Sequence, residues 1–546
     1  MSELPRGRTL DEIRRRFRWR IPPHFSIPRA CLDRWADGSG REALVEVRDD
    51  DRRVWTFDGL ASASRRLAHA FAALGIGRGD RVAVLLGQRV ETALTHFAAW
   101  RLGAVTVPLF TLFGPDALAW RLADSGARLV VTDEAGEARV AAVRDRLPEP
   151  PVVLRVDRDD AERGFWPRLR RGADRDPGIA PGAEDPAVLI YTSGTTGPPK
   201  GALHAHRVLL GHLPGVQMPH EFFPQPGDRF WTPADWAWIG GLFDVLMPSL
   251  HFGVPVVARR GGRFDPEEAV ALMARERVRN VFMPPTALRL LRQSGVDPRA
   301  AGVRLRTVGS GGEHLGEDLL AWGREAFGLT INEFYGQTEA NLLVSQMAGL
   351  RPPPPGTMGV AVPGHQVAVV DEEGRPLPPG EMGVIAVRRP DPVMFLGYWN
   401  RPEATAAKFR GAWMLTGDLG RVDEEGFFTY LGREDDLINT AGYRVGPAEV
   451  EECLARHPAV GLCAVIGVPD PVRGEVIKAF VVPRPGHAPD GALAEALRRF
   501  VRERLSAHAY PRLVEFVDSL PLTATGKIRR GELRARERAR REGGER

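Results

Sequence analysis

The chain reads as an α/β protein with three parts. Layered α/β sheets fill a large N-terminal region, a small β subdomain follows, and a small separate α/β domain closes the C-terminus. Three observations predict this. From residue 41 to 350 short apolar runs alternate with amphipathic helical patterns, as expected for sheets covered by helices. After Arg351-Pro352-Pro353-Pro354-Pro355-Gly356, a stiff proline-rich stretch, the pattern changes to short β-like runs split by Gly and Pro. At Gly432-Arg433-Glu434-Asp435-Asp436 a charged break opens a last unit of about 110 residues, within the usual domain range. The whole chain, 546 residues, exceeds what one hydrophobic core supports.

Taken in order, residues 1–40 are a basic, irregular extension. The charge run Arg14-Arg15-Arg16-Phe17-Arg18-Trp19-Arg20 is expected to be the solvated face of a first helix. Leu60 to Leu74 and Glu91 to Leu102 carry helical apolar spacing, whereas Val82 to Leu86 and Leu129 to Val131 are strand-like. Ala187 to Ile190, Val254 to Val257 and Asn280 to Met283 continue the strands. Val367 to Val370, Val384 to Val387 and a hairpin over Gly420 to Leu431 build the β subdomain, about 351–433, within a main region of 41–433. In the last unit, 434–546, Pro447 starts a helix through Arg456. Strands follow at Cys463 to Ile466 and Ala479 to Val482, then a helix from Gly491 to Leu505 and a strand at Val514 to Val517.

Composition excludes several classes. Hydrophobic and charged fractions of 43% and 26% are those of an ordinary globular protein. A net charge of +4 gives no case for a nucleic-acid partner. Cys31, Cys453 and Cys463 match no metal-ligand spacing and no disulfide framework, so a reducing, cytoplasmic home is expected. No apolar run approaches the ~18 residues of a membrane span, and the N-terminus lacks a signal-peptide apolar core.

The chemistry is concentrated in one loop. The strand Ala187 to Ile190 runs into Tyr191-Thr192-Ser193-Gly194-Thr195-Thr196-Gly197-Pro198-Pro199-Lys200-Gly201. Glycines let backbone N–H groups approach an anion, and the hydroxyls donate further hydrogen bonds. It is not the P-loop of nucleotide hydrolases, which needs Gly before and Ser or Thr after its lysine. A lysine census points the same way. Only Lys200, Lys408, Lys478 and Lys527 occur, against 70 arginines. A chain that uses Arg almost everywhere keeps Lys where a compact, rotatable ammonium is wanted, and Lys200 and Lys527 both sit in Gly/Thr-rich loops.

Four further motifs follow in order: Tyr335-Gly336-Gln337-Thr338-Glu339, Thr416-Gly417-Asp418, the charged break, and Pro521-Leu522-Thr523-Ala524-Thr525-Gly526-Lys527. Together with the loop they resemble the adenylate-forming superfamily of acyl-CoA synthetases, adenylation domains and luciferases. Ile438 to Glu451 and Pro469 to Phe480 are similar to its medium-chain acyl-CoA synthetase branch. The resemblance spans about residues 40–535. It implies a mobile C-terminal domain hinged at Asp435 and two half-reactions: a carboxylate attacks the α-phosphate of ATP, then CoA displaces AMP from the acyl-adenylate.

The resemblance also implies roles. Thr192, Ser193, Gly194, Thr195, Thr196, Gly197 and Lys200 would hold the β- and γ-phosphates, and Lys527 would stabilise charge between the carboxylate and the α-phosphate. Thr338 would contact the α-phosphate and Glu339 would ligate Mg²⁺. Glu333, Phe334, Tyr335, Gly336 and Gln337 would border the nucleotide and carboxylate. Asp418 would take the ribose hydroxyls, with Arg433 and Arg444 near ribose or phosphates. Ala441, Gly442 and Tyr443 would line the pantetheine tunnel, and Arg473, Arg502, Tyr510, Pro511 and Arg512 would meet the CoA nucleotide. Trp236, Trp238, Ile239 and Gly336 would line the acyl pocket, where glycine at 336 is expected to leave room for a medium-chain acid. ATP, Mg²⁺ and CoA are the implied cofactors and co-substrates, and a homodimer stays open. Aromatic, short or branched acids, a carrier-protein-loading adenylation enzyme and a non-catalytic sensor are the alternatives.

Overall fold

The computed structural model describes residues 3–48, 51–192, 198–259, 264–313, 315–440, 443–470, 473–505, 509–522 and 528–544. Three sheets organise it. The largest runs Val367–Val370, Gly383–Arg388, Trp413–Val422, Phe427–Arg433, Gly359–Ala361, Ala340–Ser345, Ile331–Gln337, Thr307–Gly311, Asn280–Phe282, Phe230–Trp231, Val256–Arg259, Glu42–Arg48 and Asp51–Thr56. Its middle strands, from Glu42–Arg48 to Ile331–Gln337, pair in parallel, and the strands beyond Ala340 pair antiparallel. The residues after the proline stretch therefore extend this sheet through Gly359–Ala361.

The second sheet runs Gly397–Tyr398, Lys200–Ala205, Pro186–Thr192, Val105–Pro108, Arg81–Leu85, Leu129–Thr132 and Val152–Arg155. Its parallel strands are continuous apolar runs because helices cover both faces. Every residue of the helix Val90–Arg101 is buried, and Trp100 in its last turn donates from Nε1 to Ala187 O at 2.7 Å. The helix Phe57–Ala72 packs beside it, started by Thr56, whose side chain accepts from Gly59 N. The short strand Gly397–Tyr398 belongs to this second sheet, although its sequence neighbours Gly383–Arg388 and Trp413–Val422 belong to the first. That crossover joins the two sheets at the site.

The third sheet is C-terminal: Tyr443–Val445, Ile438–Thr440, Gly474–Pro483 and Val460–Asp470, with Leu513–Phe516 parallel to Gly474–Pro483. Helices Pro447–Ala455, Gly491–Arg504 and Arg530–Gly544 accompany it. Its own core gathers Ile438, Val450, Leu454, Val465, Ala479 and Leu497.

One expectation needs sharpening. The first helix is Leu10–Arg16, capped by Thr9, and only one face is solvated. Leu10, Ile13 and Phe17 are buried in a cluster with Met218, Val360, Val362 and Phe427, so the basic run rides on an apolar anchor.

Candidate active site

The phosphate loop caps an antiparallel hairpin. Thr192 pairs with Lys200 and Tyr191 with Gly201, so the two strands that flank the motif Ser193 to Gly197 are in fixed register. The motif itself lies outside the described residues. Tyr191 OH donates to Asp124 Oδ2 at 2.8 Å, Trp120 Nε1 donates to Pro199 O at 3.2 Å, and both partners come from the helix Pro115–Ser125. These contacts fix the base of the loop.

Thr338 and Glu339 form the two-residue turn between Ile331–Gln337 and Ala340–Ser345, with Gln337 opposite Ala340. A tight hairpin of that length presents both side chains from a rigid backbone. Glu339 is buried, and its Oε1 accepts a short hydrogen bond from Tyr398 OH. Burial and the facing carboxylate push the Tyr398 phenol up, so it stays a donor. The Lys200 ammonium lies 5.3 Å from the Tyr398 ring centroid.

On the other side of the turn, Tyr335 OH donates to Asp418 Oδ2 at 2.6 Å. Burial, then the Asp418 charge, hold that phenol well above its ordinary range. Asp418 stands opposite Arg433 across two antiparallel strands, with Arg433 Nε 3.4 Å from Asp418 Oδ1. Its backbone N–H donates to Thr416 Oγ1 at 3.1 Å. The carboxylate is thereby fixed in orientation, and a carboxylate's several lone pairs suit it to accept from a ligand's hydroxyls.

Two residues without a sequence-assigned role complete the cluster. Tyr398 is one. The other is Lys408, whose ammonium donates to Thr416 O at 3.1 Å and Gln337 Oε1 at 3.4 Å. Burial lowers its pKa, against the raising influence of Glu339 and Asp418 and with the help of Arg433 and Lys200. The census had marked Lys408 as one of four lysines. A tyrosine census carries a matching signal, because Tyr191, Tyr335 and Tyr398, half of the six tyrosines in the chain, fall in this cluster.

Other sequence-derived residues are placed as follows. Glu333 is buried; its Oε1 accepts from Leu315 N at 3.4 Å, its backbone N–H donates to Gln346 Oε1 at 3.0 Å and its carbonyl accepts from Gln346 N at 2.8 Å; its neighbour Phe334 packs on Phe282 with ring centroids 5.2 Å apart. Trp236 is wholly buried in the main core, whereas Trp238 is half-buried against Phe110 and Phe113, and Ile239 is buried beside them in sequence. Arg502 and Arg512 flank Tyr510, with guanidinium carbons 5.7 and 4.9 Å from its ring centroid, and Pro511 links the two halves of that clasp. The backbone N–H of Arg473 donates to Asp470 Oδ1 at 2.9 Å. Asp435 lies in the single turn Glu434–Asp436 and Tyr443 and Arg444 in the strand Tyr443–Val445. Ala441, Gly442 and Lys527 lie outside the described residues.

Gly336 is the residue whose expected reason changes. A Cβ there would come within 2.4 Å of Leu342 N and 2.7 Å of Asn341 Cα. The glycine serves close backbone approach at an irregular step in the hairpin, not open space, so a larger side chain has to move backbone before it can shorten any pocket.

Comparison with known proteins gives the family. The family model of the AMP-binding enzymes matches residues 32–399, and that of the AMP-binding enzyme C-terminal domain matches 449–527. The chain belongs to the AMP-binding enzymes, the adenylate-forming superfamily, and within it to the acyl-CoA synthetases, which are acid–thiol ligases. It is 34% identical over 518 residues to the acetyl-coenzyme A synthetase of Bacillus subtilis (strain 168), covering 92% of this chain and 89% of that one. It is 34% identical over 536 residues to the mitochondrial acyl-coenzyme A synthetase ACSM2B of Homo sapiens, covering 95% and 92%. Among solved structures, the anthranilate CoA ligase AuaEII in complex with anthranoyl-AMP superposes with a TM-score of 0.86 at 29% identity, covering 96% of this chain and 99% of that one.

Proposed function

We propose that this chain converts a medium-chain carboxylic acid, ATP and CoA to acyl-CoA, AMP and diphosphate through an acyl-adenylate. The observation that carries the nucleotide assignment is the convergence at one turn of Glu339, held by Tyr398, with Asp418, held by Tyr335 and Arg433. Two anions must meet in the first half-reaction, so catalysis is mainly positioning and charge neutralisation. Lys200, Lys408 and Arg433 supply the cationic surroundings for the phosphates. Asp418 accepts from the ribose hydroxyls. Mg²⁺ on a nucleotide takes one or two carboxylates and otherwise phosphate and water, and Glu339, whose carboxylate is oriented by the Tyr398 hydroxyl, fits that demand. Lys527 would reach the α-phosphate for adenylation, and the Arg502–Tyr510–Arg512 clasp would serve CoA. Both lie in the C-terminal unit, so rotation about Asp435 between the steps is part of the proposal.

The similarity of Ile438 to Glu451 and Pro469 to Phe480 to the medium-chain branch supports a medium-chain acid, while the likeness to an anthranilate CoA ligase favours an aromatic acid as the second reading. Pyrophosphate release across a panel of carboxylic acids, with and without CoA, tests the assignment. Release without CoA and thioester only with it is expected; no release with any acid overturns it. Asp435→Pro is expected to spare adenylate formation and abolish thioester formation, and equal loss of both would remove the rotation.

A further inference from the structure

A buried carboxyl on the acyl side of the site has no part in the adenylation chemistry above. The π-helix Gly240–Leu246 begins directly after Trp236, Trp238 and Ile239 and carries Asp244, which is 4% exposed. Such turns are rare and concentrate at functional sites. Asp244 Oδ1 accepts from Asn341 Nδ2 at 2.7 Å. The same amide lies 3.4 Å from His212 Nε2, and His212 Nδ1 faces Val208 O at 2.7 Å. Burial pushes His212 down to about 4, so near neutral pH its Nδ1 carries the proton and its Nε2 accepts. Asn341 thus turns its amide N–H groups to both neighbours and fixes the carboxyl between them. Asn341 follows the Thr338–Glu339 turn by two residues, so this triad is rigidly tied to the nucleotide site.

The second oxygen is left over. Asp244 Oδ2 has no hydrogen-bond partner among the described residues. It lies 3.5 Å from where a Cβ on Gly240 would stand, and that point is 2.9 Å from the edge of Phe282. Phe282 in turn packs on Phe334, the residue that borders the carboxylate end of the acid in the proposed site. Burial raises Asp244 well above the ordinary carboxyl range, a direction that favours the protonated form, whose O–H can donate. A polar oxygen of a buried residue that finds no partner in the fold is costly, and a purely hydrocarbon substrate would leave it unanswered.

We propose that Asp244, oriented by Asn341 and His212, is a specificity-determining group that hydrogen-bonds an oxygen on the acyl body of the substrate, selecting hydroxy- or oxo-substituted acids over their hydrocarbon parents. The inference rests on the ligase reading above. A site built to satisfy a polar substituent discriminates strongly against the analogue that lacks it, because its own buried polar group is then unpaired. Methyl-for-methylene differences in an apolar pocket achieve far less.

The test is kcat/KM for pyrophosphate release with matched acids: octanoate against its hydroxy and oxo derivatives at successive carbons, and benzoate against its hydroxy derivatives. At least one oxygenated acid is expected to exceed its parent by about tenfold or more. Asp244→Leu is expected to erase that preference, and the isosteric Asp244→Asn to keep part of it, since an amide still donates. Preference of the wild-type enzyme for the parent in every pair overturns the proposal. So does an unchanged ratio in either folded, active variant. Should Asp244→Leu not fold, Asp244→Asn and the wild-type panel decide between the same two outcomes. Failure of every acid to release pyrophosphate defeats the ligase reading itself, and the inference falls with it.

Discussion

Lys408 and Lys478 are the two lysines that lie outside the glycine-rich loops, and the chain treats them in opposite ways. Lys478, in the C-terminal sheet, is buried, with its ammonium 2.7 Å from Glu537 and 2.7 Å from Glu515 and 4.9 Å from the Phe480 ring centroid. Its charge is fully answered within the fold. Lys408, beside the nucleotide turn, is half-buried and bonded only to neutral oxygens, with no carboxylate at ion-pair distance among the described residues. An ammonium kept from water and left without an anion costs stability. The first lysine holds a structure together; the second is poised for an anion that arrives from outside, which the proposed function supplies as a polyphosphate.

Substitution separates the two most sharply. Lys478→Met strands two carboxylates, although Arg540 still reaches both. Loss of about 3 kcal/mol is expected in urea unfolding of the full chain, at the low end for breaking a buried pair, with KM for ATP unchanged in the folded enzyme. Lys408→Met should do the reverse. Stability is expected to stay within about 1 kcal/mol of wild type or exceed it, while KM for ATP rises about tenfold, the equivalent of about 1.4 kcal/mol. A destabilised Lys408→Met with normal ATP affinity would make the two lysines alike and break the contrast.

The fold was largely legible in sequence because its signals are local. Parallel strands such as Arg81–Leu85 and Leu129–Thr132 are short apolar runs bounded by turn residues, and the helices Phe57–Ala72 and Gly491–Arg504 announce themselves by apolar spacing. The candidate nucleotide residues stand out in sequence because glycines and hydroxyls cluster in the chain itself. Tyr398 and Lys408 were not, since each reaches the site from an isolated position, through a two-residue strand that changes sheets and the end of the short helix Pro402–Ala407. The Asp244–Asn341–His212 triad joins three elements, and no spacing in the chain links them. Gly336 shows the remaining gap: a glycine read as open space is a place where backbone approaches backbone, and only coordinates distinguish the two.

A smaller effect is expected at Glu339. Tyr398→Phe removes the hydroxyl donor that orients its carboxylate and leaves the ring beside Lys200. The loss of one hydrogen bond to a charged acceptor, partly replaced by water, should lower kcat for pyrophosphate release about threefold. Stopped assays under saturating ATP measure it, and an unchanged kcat would show that the turn alone positions Glu339.

The subtlest consequence lies in pH. Folding lowers the Lys408 pKa below 10.5, chiefly by burial, with Arg433 and Lys200 adding to the fall and Glu339 and Asp418 opposing it. As pH rises through that lowered pKa the ammonium deprotonates in the folded enzyme while the unfolded chain still holds its proton. The unfolded state then binds more protons, so stability contributed by this group rises with pH across the window. ATP affinity moves the other way, because the neutral amine no longer attracts phosphate. KM for ATP is therefore expected to climb on the alkaline side at a lower pH than an ordinary lysine would produce. In Lys408→Arg the charge persists throughout, and the climb should move beyond the range of the assay. A climb of the same midpoint in Lys408→Arg would show that a group other than Lys408 titrates.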